Sequence, residues 1–98
     1  MNTEIKYINN LIKAKTKYAI ASALDYIHPF GKLTILVDSY SKMELIQEKF
    51  NTLNKLDSHL RELRRRNAGI KSAVEKYSQA IIDIAIEQNR IIDNIKGA

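Results

Sequence analysis

The sequence predicts an all-α protein, on three observations: a long heptad stripe, a turn-poor composition, and the lack of two segments that could pair as strands. The stripe runs through Leu53, Leu56, Leu60, Leu63, Asn67, Ile70, Val74, Tyr77, Ile81, Ile84, Gln88, Ile91 and Ile95. Eleven of these thirteen positions are apolar, and the two amides share one heptad position. A 3.5-residue period keeps such a stripe on one side of a helix, where it must meet another helix rather than water. One Pro and three Gly in 98 residues leave little material for a turn-rich β protein. The expected architecture is a long-helix coiled coil or a three-helix bundle in a single helical domain, 1–98.

The first helix is expected over about 3–27, with Thr3 as N-cap and Glu4 at the positive end of the dipole. Ile5, Ile8, Ile12, Ala19, Ala23 and Tyr26 share a face, interrupted by Lys15 and Ser22. Pro29 disfavours helical backbone at His28, which places a break at 28–32.

Residues 33–40 are read as a short helical or irregular stretch. Leu33-Thr34-Ile35-Leu36-Val37 has the composition of a strand, but no second strand is available to satisfy its backbone groups. Ser41 and Glu44 form a capping-box pattern, which opens a helix over about 41–66.

The segment Arg65-Arg66-Asn67-Ala68-Gly69 supports two readings. Basic residues, a left-handed cap at Asn or Gly, and a second capping-box pattern at Ser72 and Glu75 all favour a stop and a restart. The unbroken heptad phase favours one continuous helix, with Asn67 as a buried register-setting amide. An antiparallel hairpin around Asn67–Gly69 is favoured over the continuous helix. The last helix is then expected over about 72–96, with Gly97 as terminator. Ile82, Ala85, Ile86 and Ile92 flank its stripe, so its apolar face is wide and predicts more than one neighbour or a protein-binding surface.

The composition excludes several chemistries. Zero cysteines removes disulfides, thiolate metal sites and cysteine nucleophiles, and suits a reducing compartment. His28 and His59 have no partner at metal-ligand spacing. No nucleophile elbow surrounds a serine, and the glycines at 31, 69 and 97 make no phosphate loop. No apolar run approaches a membrane span, and Tyr18–Leu24, although preceded by lysines, is too short and late for a signal peptide. A non-enzyme without cofactor or metal, in the cytoplasm, is expected.

The charge of +5 leaves a basic excess. Lys6, Lys13 and Lys17 form one stripe, and Arg61, Arg64, Arg65 and Arg66 the densest cluster. These seven are the candidate polyanion contacts, although few aromatics interleave with them and a helix C-terminus matched to its dipole explains the arginines as well. The functional expectation is a protein–protein interaction module that self-associates through the heptad stripe: an adaptor, assembly factor, small chaperone or inhibitor. The alternative is a nucleic-acid-binding regulator using Arg61–Arg66, and a weaker third idea is a ligand site between basic side chains of two chains. The Ile/Asn/Lys-rich helical character suits a bacterial, phage or archaeal-virus accessory protein.

Overall fold

The computed structural model describes residues 2–28 and 31–97, apart from the side chains of Asn2 and Thr3. Its regular elements are helices, α1 Asn2–Lys13, α2 Lys17–Ile27, α3 Lys42–Arg66 and α4 Lys71–Gly97, with no strand among the described residues. The expected all-α class is what the chain adopts. Two compact units are formed, Met1–Thr52 and Leu53–Ala98, and α3 contributes its first part to one and its remainder to the other.

In the first unit the expected single helix 3–27 is two helices. Thr16 explains the division: its backbone is extended and its hydroxyl accepts from Ala19 N at 3.1 Å, so it starts a new helix. The carbonyls freed at the end of α1 meet ammonium groups. Lys15 Nζ donates to Ile12 O at 3.2 Å, and Lys49 Nζ from α3 donates to Ile12 O at 3.0 Å and Ala14 O at 2.8 Å. Lysines at a helix C-terminus satisfy both the orphan carbonyls and the negative end of the dipole. Lys49 is 1% exposed, among the most buried side chains described. α1 starts at Asn2, ahead of the expected cap Thr3, whose side chain lies outside the described residues.

The core of this unit draws on Ile8, Leu11, Ile20, Ala21, Leu24 and Leu45. Tyr26, expected on the buried face, is 68% exposed and stacks on Tyr7 with ring centroids 5.8 Å apart. His28 N bonds Leu24 O at the end of α2, and the expected break at 28–32 is seen at His28, Gly31 and Lys32; Pro29 and Phe30 lie outside the described residues. The stretch 33–40 is turn followed by a 3-10 turn at Val37–Ser39.

The second loop is tied to α2 by Asp25. Its carboxylate accepts from Leu33 N at 2.8 Å, from Thr34 N at 2.9 Å and from the Thr34 hydroxyl. Gly31 passes so close that an added Cβ would stand 2.9 Å from Asp25 Oδ1 and 3.0 Å from His28 O. Only glycine fits there without displacing one of them. At the start of α3 the capping box is complete: Ser41 N donates to Glu44 Oε1 at 2.9 Å, and Glu44 N donates to Ser41 Oγ at 3.0 Å.

In the second unit the helix stops at Arg66 and restarts at Lys71, as the capping signals favoured. Two side-chain bonds set the pairing: Arg64 Nη1 donates to Ser78 Oγ at 3.2 Å, and Gln88 Nε2 donates to Asn54 Oδ1 at 2.6 Å. Ten residues back along α3 correspond to ten residues forward along α4, so the two segments run antiparallel. The connection itself differs from expectation. No described residue has positive φ, so neither Asn67 nor Gly69 is a left-handed cap. Asn67 instead closes α3 with its own side chain, Nδ2 donating to Leu63 O at 2.8 Å, while Ile70 N bonds Asn67 O at 2.9 Å. α4 starts at Lys71, which puts Ser72 inside its first turn rather than ahead of it, and it extends through Gly97.

Candidate protein-binding surface

The heptad stripe is largely consumed inside the chain. Leu53, Leu60, Tyr77, Ile81, Ile84 and Ile91 are buried, and Leu56, Leu63, Val74 and Gln88 are partly covered. Ile70 and Ile95, at the two ends of α4, are exposed. The two amides do not pair with each other: Asn67 caps α3 and Gln88 meets Asn54. A hairpin lets an amide at a seam edge find a partner on the returning helix, so no second chain is needed to satisfy it.

α4 carries a second, outward set of apolar side chains. At about 100° per residue, Ile82 and Ile86 lie roughly 160° and 200° from buried Ile84, on the opposite side of the helix. They are 51% and 63% exposed. The sequence grouped them with Ala85 and Ile92 as extensions of one wide face. Instead Ala85 is also exposed and only Ile92 is half-covered. Their i,i+4 spacing stacks them into a ridge.

Polar groups frame the ridge. Gln79 Nε2 donates to Asp83 Oδ1 at 2.9 Å, and Glu75 and Asp93 stand exposed one stretch further along each way. Arg90 is held by Glu87 through two bonds of 2.7 Å, Nε to Oε1 and Nη2 to Oε2. The Glu87 hydrogen bond raises the Arg90 pKa.

The arginine cluster gathers on the last turns of α3, next to the connection. Arg61 Nε donates to Asp57 at 3.1 Å, and Arg65 and Arg66 both donate to Glu62, at 3.0 and 3.1 Å through their Nε atoms. The hydrogen bond from Arg65 leads the causes that lower the Glu62 pKa to about 2, with Arg66 adding to it. Arg64 has the neutral Ser78 hydroxyl as its partner. The lysine stripe is not one stripe: Lys6 and Lys13 belong to α1, Lys17 opens α2, and the break between them removes the common helical phase.

A groove of about 440 Å3 lies over α1 and α2. Ala14, Ala19 and Ala23 line it together with Tyr18, Tyr26 and Lys13. Sequence reading missed it, because it depends on the break at Thr16. No group of three or more His, Cys, Asp or Glu that could hold a metal occurs among the described residues, and no helix there is long and apolar enough to cross a membrane.

Fold and surface define a helical protein with an apolar ridge on an otherwise polar helix face. Comparison with protein-family models, curated proteins and solved structures finds no match.

Proposed function

We infer that this chain is a non-enzymatic protein–protein interaction module, an adaptor, assembly factor, small chaperone or inhibitor, whose contact surface is the outward face of α4. It rests on one observation: Ile82 and Ile86 leave two large apolar side chains in water on the side of α4 opposite its buried stripe. A contiguous apolar patch with a polar rim is the usual form of a protein contact site, since its burial is favourable and its rim limits promiscuity. The stripe itself is not the contact surface in this reading, because its central residues are already buried. A cytoplasmic setting suits a chain without cysteine.

A photo-crosslinking residue placed at Ile82 or Ile86, in cells expressing the protein, should capture one discrete protein species, absent when the probe is at exposed Glu48. Equal, diffuse labelling from both places would overturn the reading.

The second reading is nucleic-acid contact through the arginine end of α3. It is supported by the sharing of one carboxylate, Glu62, between Arg65 and Arg66, which leaves positive charge in excess there. Duplex binding should then weaken steeply with salt and disappear in R64Q/R65Q/R66Q. Binding unaffected by that change, or none at low salt, removes it.

A further inference from the structure

We propose that the α1–α2 groove binds single-stranded nucleic acid, with bases against Tyr18 and Tyr26 and a phosphate at Lys13. This site is separate from the α4 face and from the arginine end of α3. Few aromatics interleave with the lysines in linear order, but packing sets Tyr18 and Tyr26 of α2 in one groove with Lys13 and Asn10 of α1.

The rings are free to stack. Tyr18 is 63% exposed and Tyr26 68%. Tyr26 already carries Tyr7, with centroids 5.8 Å apart and planes 18° from parallel, so a stack is begun while most of its surface stays in water. Eight residues along α2 separate Tyr18 from Tyr26 by about 12 Å of helix axis, which favours successive units of a strand over a single ring. Ala19 and Ala23 between them keep the floor low. Every base has a π-face, so such rings hold a strand without reading its sequence.

The charge of the groove suits phosphate. Lys13 lines it, and no carboxylate does so among the described residues. At about 100° per residue, Lys6, Asn10 and Lys13 fall within about 60° on α1, and Glu4 stands about 160° from Lys6. Lys6 therefore extends the edge that Lys13 begins, away from the acidic side of that helix. The one carboxylate of α2, Asp25, accepts from Leu33 and Thr34. Lys15 is turned to Ile12 O and Lys17 acts on Glu44, and neither lines the groove. A strand laid there meets a basic edge on α1 and open rings on α2.

The test titrates the full chain with a single-stranded oligothymidylate at low salt. With five Tyr and no Trp, stacking should appear as saturable quenching of tyrosine emission. Variants are compared by anisotropy of the labelled strand, with folding checked by circular dichroism. Y18L/Y26L should weaken binding by about tenfold or more, and Y18F/Y26F, which keeps both rings, should retain it. Y18L alone leaves the Tyr7–Tyr26 pair intact and should weaken binding by about fivefold. K13Q should lower affinity and reduce the salt slope by about 0.7, one phosphate contact. No saturable binding at low salt, or full affinity in Y18L/Y26L, overturns the proposal. So does a duplex, or thymidine monophosphate alone, bound as tightly as the strand. Loss in R64Q/R65Q/R66Q with none in Y18L/Y26L would also overturn it and move the contact to the arginine end of α3.

Discussion

Gln88 donates its side-chain amide to the Asn54 carbonyl at 2.6 Å, across 34 residues of sequence. Together with the bond from Arg64 to Ser78 it marks the antiparallel register of α3 against α4. A double-mutant cycle with Q88A and N54A should give a coupling of about 0.5–1 kcal/mol in urea unfolding, the usual net worth of a neutral hydrogen bond near the surface. Strict additivity would show that the register is held by the apolar stripe alone.

Lys49 is the most consequential polar group of the first unit. K49M keeps much of the apolar stem but removes the donor to Ile12 O and Ala14 O. Loss of about 2–3 kcal/mol of stability is expected, since charged donors to buried acceptors contribute at that level. Hydrogen exchange should also rise at the end of α1 and the start of α2. Unchanged exchange there would mean the break between α1 and α2 does not depend on Lys49.

Two glycines should respond in opposite directions. Gly69 has open space where a Cβ would be and no positive φ, so G69A should be neutral or stabilising by up to about 1 kcal/mol through the unfolded chain. G31A must push against Asp25 and His28 and should lower the melting temperature. A destabilised G69A would indicate a left-handed turn after all.

Acid should loosen the contacts of Asp25 and Glu44 before the helices melt. Burial pushes the Asp25 pKa up, but hydrogen bonds from the Thr34 hydroxyl and the Thr34 and Leu33 amides outweigh it, and the net pKa is lowered. The Ser41 amide lowers that of Glu44. A carboxyl depressed in the folded state contributes stability above its unfolded pKa, and this is lost as pH falls through the folded value. Chemical shifts of the Thr34 and Ser41 amides should therefore hold steady through neutral pH and move only below the ordinary carboxylate range. Glu62 should titrate near 2, and R65Q should raise it. Thr34 movement at or above the ordinary carboxylate range would contradict the Asp25 arrangement.

Much of the fold was legible in the chain itself. The Ser41–Glu44 box could be read because a capping box needs only two side chains three residues apart. The stop near Asn67 was legible because stop and restart signals cluster there, although its geometry was not, since Asn67 can cap through its side chain as readily as through a left-handed backbone. The break at Thr16 was missed. In the sequence Lys15 reads only as an interruption of an apolar stripe; its bond to Ile12 O is local, but the second ammonium on that carbonyl, Lys49, comes from 37 residues away.

The candidate surface divides along the same line. Local sequence determined the helical class, the α3 cap, the heptad stripe and the clustering of arginines, because each follows from side chains within one or two helical turns. Tertiary structure decided which apolar residues stay in water. Ile84 and Ile86 are chemically identical and two positions apart, yet one is fully buried and the other 63% exposed. The heptad phase already set Ile84 in the stripe and Ile86 beside it; packing decided that the flanking side chain stays uncovered. The groove over α1 and α2 is likewise a product of packing, since side chains of both helices line it.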